Sequence, residues 1–173
     1  MENKRITTCC FLGHRKIIET DELKTKLYNE IEKLISENKA DTFLFGSKSQ
    51  FNDLCYKTVT ALKERYPYIK RIYIRAEFPY ISGSYEKYLS HRYEKTYYPD
   101  KLVNAGKAVY VERNFEMIDN SSFCICYYDA NYTPPGRKRN KTDLIEYQPK
   151  SGTAIAYEYA IKRGLFMINV YKL

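Results

Sequence analysis

The sequence predicts an α/β protein with a Rossmann-like three-layer sandwich and a mostly parallel sheet. Short apolar runs, typical of buried strands, alternate along the chain with segments whose apolar residues recur at helical spacing. The strand-like runs are nearly continuous in apolar residues, as expected for a parallel sheet that helices cover on both faces. With 173 residues, we expect a single domain over residues 1–173 that buries a sizeable core.

Each element is predicted from its own local pattern. Six strands are predicted at residues 6–12, 42–45, 69–76, 109–112, 123–128 and 166–171. Four helices are predicted between them: one over 20–35, one over 51–62, a short one carrying Phe115 and Ile118, and one over 154–163 that Gly164 closes. The acidic residues Asp21 and Glu22 suit the first turn of the first helix.

Two segments interrupt the alternation and are long for loops of this fold. Residues 79–106 are rich in tyrosine and charge, and residues 129–150 contain Pro134, Pro135, Gly136 and the basic run 137–139. The tyrosines of 79–106 can pack against the sheet edge, cover a ligand site as a lid, or stack on bases of single-stranded nucleic acid. We expect a lid or partner-facing element over the ligand site.

Composition limits the classes of function. The net charge of +8 favours anionic partners, and no apolar run approaches the length of a membrane span. The amino terminus shows no signal-peptide pattern, which predicts a cytoplasmic protein. Five cysteines without a Cys-x-x-Cys pair or a histidine at ligand spacing predict buried reduced thiols and no metal site. No cofactor is expected beyond a nucleotide-like ligand.

Candidate binding residues follow the predicted strands. In a parallel sheet, ligands bind beyond the carboxyl ends of the strands, where free N–H groups of helix amino termini attract phosphate. Four strand-to-helix junctions carry suitable residues: Gly13-His14-Arg15, Gly46-Ser47-Lys48-Ser49, Arg113-Asn114 and Ser151-Gly152-Thr153. The second lacks the glycine spacing and order of a Walker A motif, which disfavours a nucleoside triphosphatase. The shared position of the four junctions at one edge of the sheet predicts a phosphate-binding site.

These segments resemble the YpsA-like branch of the SLOG superfamily, which also includes DprA and the Lonely Guy phosphoribohydrolases. Gly13-His14-Arg15 is similar to that branch's "TGHR" opening, residues 113–119 to its "RNxxMVD" segment, and Ser151-Gly152-Thr153 to its "GGT" turn. The resemblance implies a homodimer that binds a nucleotide or nucleotide-derived molecule, as a sensor or sequestering protein. His14 and Asp119 are expected to assist the junction residues in holding phosphate and ribose.

Of several departures from the family pattern, one bears directly on catalysis. In the enzymes of this superfamily, an arginine placed like Arg113 works with a glutamate three residues after the Gly-Thr pair, where this sequence has Ala156. The nearest carboxylate is Glu158. The departure disfavours N-glycosidic hydrolysis, which needs a carboxylate beside the oxocarbenium-like sugar. Two alternatives remain: a nucleotide N-glycosidase that uses Arg113 and a carboxylate from elsewhere, and a DprA-like single-stranded DNA binder.

Overall fold

A computed structural model describes residues 4–77, 79–132 and 150–171. Over these residues the chain forms a six-stranded sheet, all of whose pairings are parallel, with α-helices on both faces. The predicted fold class is therefore confirmed. The proline-containing and basic part of the 129–150 segment lies outside the described residues. No helix of the described part is long and apolar enough to cross a membrane.

The sheet has the strand order β4-β3-β2-β1-β5-β6. The strands are β1 (Thr8–Gly13), β2 (Thr42–Phe45), β3 (Lys70–Ile74), β4 (Lys95–Tyr97), β5 (Phe123–Tyr127) and β6 (Phe166–Asn169). The helices are α1 (Asp21–Ser36), α2 (Gln50–Lys63), α3 (Gly83–Arg92), α4 (Val109–Asp119) and α5 (Gly152–Lys162). The chain builds outward from β1 to β4 and then returns to β5, so the order reverses between β1 and β5. Such a reversal is where open α/β sheets bind ligands.

Two apolar layers hold the helices on the sheet. Because successive strand residues point to opposite faces, Phe11 packs with α1 and α2, whereas its neighbours Cys10 and Leu12 pack with α4 and α5. Aromatic rings help to fill the first layer, and the centroid of the Phe11 ring lies 5.1 Å from that of the Phe45 ring. All five cysteines are buried and reduced.

Side-chain caps fix where several helices begin. Thr20 accepts a hydrogen bond from the Leu23 amide ahead of α1, and Ser49 and Ser151 cap α2 and α5 in the same way. Such caps satisfy N–H groups that have no partner within the helix. The last two caps orient the helix amino termini at the carboxyl edge of the sheet.

The strand predicted at residues 109–112 is wrong, because these residues form the first turn of α4. A short apolar run does not distinguish a strand from a buried helix segment by periodicity alone. The buried residues of α4 are Arg113, Met117 and Ile118, and their spacing defines a helical face. Arg113 and Asn114 therefore lie within a helix rather than at a strand-to-helix junction.

The segment 79–106 extends the fold instead of forming the long loop expected from its composition. It contains α3 and β4, and β4 pairs in parallel with β3 at the edge of the sheet. Leu89 and Tyr93 are buried, and the ring of Tyr93 stacks on that of Tyr73 at 5.1 Å between centroids. The hydroxyl of Tyr56 donates to the Arg92 carbonyl oxygen at 2.8 Å. Several aromatic residues of the segment 79–106 thus pack against the rest of the fold.

Candidate functional site

A cleft of about 600 Å³ opens at the carboxyl edge of the sheet. Its lining combines the turns after β1 and β2, the residue Glu77 after β3, one face of α4 and the amino terminus of α5. Nine of the eleven predicted binding residues line it: Gly13, Arg15, Gly46, Ser47, Arg113, Asn114, Ser151, Gly152 and Thr153. The structure therefore brings together residues that lie more than a hundred positions apart in the chain.

The end of β1 approaches α2 so closely that it requires glycine. A Cβ atom at Gly13 would lie 2.1 Å from the Cδ1 atom of Phe51 and 2.6 Å from its Cβ atom. The Arg15 carbonyl oxygen accepts a hydrogen bond from the Gln50 amide at 2.8 Å, which ties the turn after β1 to the start of α2. Arg15 itself is exposed at the mouth of the cleft.

The turn after β2 is built from small and polar residues. The Ser47 hydroxyl oxygen accepts from the Ser49 amide at 3.0 Å, and the Ser49 hydroxyl oxygen accepts from the Asn52 amide at 3.0 Å. Across the cleft, the Ser151 hydroxyl oxygen accepts from the Ala154 amide at 3.1 Å. Two helix amino termini, those of α2 and α5, thus border the same space, and each favours an anion.

Arg113 forms the floor of the cleft. Its side chain reaches from α4 across Gly46, where Nη1 donates to the Gly46 carbonyl oxygen, and Nε donates to the Asn114 Oδ1 at 3.0 Å. A Cβ atom at Gly46 would lie 2.7 Å from the Arg113 Cδ, so a larger residue there would displace the Arg113 side chain. The side chain is 6% exposed.

The charge of Arg113 has no directly paired carboxylate among the described residues. Burial lowers the pKa of Arg113, and the neighbouring Tyr73, Tyr110 and Glu77 oppose this shift. Arginine nevertheless stays protonated in proteins, so the guanidinium keeps its positive charge. A buried cation without a paired anion is costly, and an anionic ligand in the cleft would supply the missing partner.

The described lining of the cleft carries more positive than negative side chains. Arg15, Lys48 and Arg113 are cations, whereas Glu77 is the one carboxylate among the described lining residues. Lys48 and Glu77 form an ion pair at 2.5 Å, and the hydrogen bond from Lys48 to this carboxylate raises the pKa of the lysine. The site therefore carries a positive excess and is suited to an anion.

Sequence reasoning did not name three polar residues of the lining, Glu77, Tyr110 and Tyr132. Glu77 follows a strand, as the predicted junctions do, so its position after β3 was an available signal. Tyr110 lies one helical turn before Arg113 and shares its face of α4. Tyr132 lies five residues beyond the end of β5 and belongs to no helix or strand, and its ring stacks on His14, a contact that no local pattern reveals.

His14 supports the cleft but does not line it. Its Nε2 accepts a hydrogen bond from the Asp129 amide at 2.8 Å, and its ring stacks on Tyr132 at 3.8 Å between centroids. Burial lowers the pKa of His14, partly opposed by the negative charge of Asp129. The neutral imidazole therefore positions the Tyr132 ring, which does line the cleft.

Asp119 and Glu158 lie outside the cleft. Asp119 lies six residues beyond Arg113, or about 9 Å along the helix axis, where it pairs with Arg163 at 3.0 Å and accepts from the Tyr159 hydroxyl at 2.8 Å. Glu158 is exposed and pairs with Lys150 at 2.7 Å. Ala156, by contrast, is buried against the cleft and places a methyl group there.

None of the described residues within 79–106 lines the cleft. The segment instead packs along the β3 side of the sheet, where α3 precedes the edge strand β4. Two of its tyrosines are well exposed, Tyr80 at 90% and Tyr88 at 52%. The expected contact of this segment with a ligand thus remains a prediction, and packing accounts for the tyrosines that are buried.

No protein-family model matches the sequence, and no curated protein matches it either. Among the described residues, no group of three or more histidine, cysteine, aspartate or glutamate side chains could hold a metal ion. The cleft offers a set of cations, one carboxylate among the described lining residues, two helix amino termini and the rings of Tyr110 and Tyr132.

Proposed function

We propose that this chain binds a nucleotide or nucleotide-derived small molecule in the cleft through its phosphate, as a sensor or sequestering protein. The observation that carries the proposal is Arg113, a buried guanidinium at the cleft floor without a directly paired carboxylate among the described residues. A protein that tolerates such a charge in its free state recovers the cost when an anion binds.

The surroundings of Arg113 favour phosphate over other anions. Phosphate can accept the forked donors of a guanidinium together with N–H groups at a helix start, and the α5 amino terminus supplies Gly152 and Thr153 beside the cleft. Arg15 and Lys48 add positive charge at its mouth. A cleft of about 600 Å³ lies within the size range of small-molecule sites.

Aromatic rings at the cleft favour a nucleotide over a simple phosphate ester. Tyr110 is 54% exposed on α4, and Tyr132 is held by its stack on His14. Both rings line the cleft and offer flat faces for a base. This composition supports membership of the SLOG superfamily, which we propose from the motif resemblance together with the site.

Binding without hydrolysis is the form of the proposal that the site supports best. At the position where the related enzymes carry glutamate, Ala156 presents only a methyl group, and Glu158 points to Lys150 outside the cleft. We therefore expect no base release when the protein is incubated with nucleoside 5′-monophosphates and the products are separated by chromatography. Release at about 1 per second, an ordinary enzymatic rate, would establish the enzyme alternative.

Native mass spectrometry of the purified protein tests the proposal directly. We expect an additional mass that corresponds to a co-purified phosphate-bearing nucleotide, lost on denaturation. The Arg113→Met variant should be recovered without this mass. Failure of any nucleoside phosphate to bind, either as a co-purified species or by titration calorimetry, would refute the proposal.

A further inference from the structure

One carboxylate faces a cleft whose other charged side chains, among the described lining residues, are all cations. Glu77 follows β3, and its side chain is 30% exposed. A negative charge here weakens the attraction for any anion that enters, because opposite contributions to the potential subtract. Its presence at the site is therefore explained best by a part of the ligand that donates hydrogen bonds.

Lys48 neutralises Glu77 without using its full hydrogen-bonding capacity. An ionised carboxylate only accepts hydrogen bonds, and its two oxygens offer about four acceptor sites. Lys48 occupies one position, with its Nζ 2.5 Å from Oε1. Both partners of this ion pair line the cleft, so the remaining acceptor sites of the carboxylate are available to a ligand there.

Glu77 and Arg113 interact electrostatically but form no ion pair. A space therefore separates the two opposite charges inside one cleft. A sugar phosphate matches this arrangement, because its phosphate can face Arg113 and the α5 amino terminus while its hydroxyls face the carboxylate.

The strand order separates Glu77 from the other end of the cleft by a distance that one nucleotide can span. Neighbouring strands lie about 4.8 Å apart, so the end of β3 lies about 10 Å from that of β1. The rings of Tyr110 and Tyr132 provide separate faces for the base. We infer that Glu77, held by Lys48, accepts hydrogen bonds from the ribose 2′- and 3′-hydroxyls and selects ribonucleotides over nucleotides that lack this diol.

This inference rests on the proposed function, and the experiment separates the two. Titration calorimetry is performed with the four ribonucleoside 5′-monophosphates and with their 2′,3′-dideoxy counterparts. The measured quantity is the ratio of the two affinities for each base. Hydrogen bonds to a charged group predict a ratio of about 10 to 100 in favour of the ribonucleotide for the wild-type protein.

Glu77→Gln should reduce this ratio at least several-fold, mainly by weakening ribonucleotide binding. Glu86→Gln makes the same change of charge on the exposed surface of α3, outside the cleft lining, and should leave the ratio unchanged. Because a ratio is measured, a general effect of the lost negative charge on phosphate affinity cancels.

The outcomes distinguish the two claims. Binding of both nucleotide classes with equal affinity, or a ratio that Glu77→Gln leaves intact, would overturn the role of Glu77 while the proposed function stands. If Glu77→Gln weakens binding only of the nucleotides that carry one particular base, with either sugar, Glu77 recognises the base. That result would also overturn the inference. Absence of binding by every nucleotide would refute the proposed function itself.

Discussion

Replacement of Arg113 by methionine distinguishes a role of this residue in ligand binding from a role in stability. The substitution retains an unbranched apolar side chain of similar length and removes the charge. In the free protein it deletes the Nε hydrogen bond to the part-buried Asn114 Oδ1 and the Nη1 hydrogen bond to the buried Gly46 carbonyl oxygen. Loss of the Nη1 donor costs about 1–3 kcal/mol if the carbonyl finds no other partner.

The same substitution also relieves the protein of a desolvated charge. Arg113 is only 6% exposed and lacks a directly paired carboxylate among the described residues, so its burial costs several kcal/mol. The two contributions have opposite signs. We therefore expect the free energy of unfolding to change by no more than about 1–2 kcal/mol in either direction.

Arg113→Met should weaken nucleotide binding, without a compensating gain. Loss of a charge-assisted contact with phosphate predicts a 10- to 100-fold weaker affinity for nucleoside 5′-monophosphates, or about 1.4–2.7 kcal/mol. Titration calorimetry measures the affinity, and urea denaturation measures the stability. Arg65→Met is the matched control, because Arg65 is exposed and lies outside the cleft lining. Unchanged affinity together with a stability loss above about 3 kcal/mol would show that Arg113 is structural.

Four further predictions concern stability and assembly. Gly13→Ala should lower the free energy of unfolding in urea by about 2–4 kcal/mol, because the new Cβ would overlap the fully buried Phe51; wild-type stability would show that the turn can shift. Because burial lowers the pKa of His14, the neutral form is favoured in the folded state, so the contribution of His14 to stability should be constant above about pH 6.5 and fall below it. A His14→Gln variant that keeps the same pH slope would exclude this residue as its origin. Partial burial raises the pKa of Glu94, but hydrogen bonds from Arg71 and Lys63 outweigh it and lower this pKa to about 2. Glu94→Gln should therefore cost about 1–2 kcal/mol at neutral pH, with the difference from wild type vanishing as the pH falls from about 4.5 to 2. Sedimentation should detect a homodimer, as the superfamily resemblance implies, and a monomer at all concentrations would contradict this.

The sequence predicts the fold well because each layer leaves a local signal. The apolar runs of β1, β2 and β5 and the helical spacing of the apolar residues in α1 and α2 follow from the period of the sequence alone. Strand β4 escapes detection because it has only three residues, Lys95–Tyr97, of which none is fully buried. Its pairing with β3 is decided by tertiary contact rather than by propensity.

The site is predicted less completely than the fold. The turns at Gly13 and Gly46 are recognised because they follow strands, and the structure explains the glycines by close approaches that the sequence does not show. Arg113 is assigned to the cleft although the element that carries it is predicted wrongly. Tyr132 could not be found, because its place depends on a stack with His14 across more than a hundred residues.

The five buried cysteines give the molecule a set of internal chemical reporters. Burial raises the pKa of the Cys9, Cys55 and Cys124 thiols well above the ordinary value, and all five side chains are shielded from solvent. An alkylating reagent reacts with the thiolate, so it can modify these side chains only after the surrounding structure opens. Cys55 lies on α2, whereas Cys10 and Cys124 are paired neighbours in the two strands between which the order reverses. Alkylation rates at these positions therefore measure how often the helical layer detaches and how often the centre of the sheet separates.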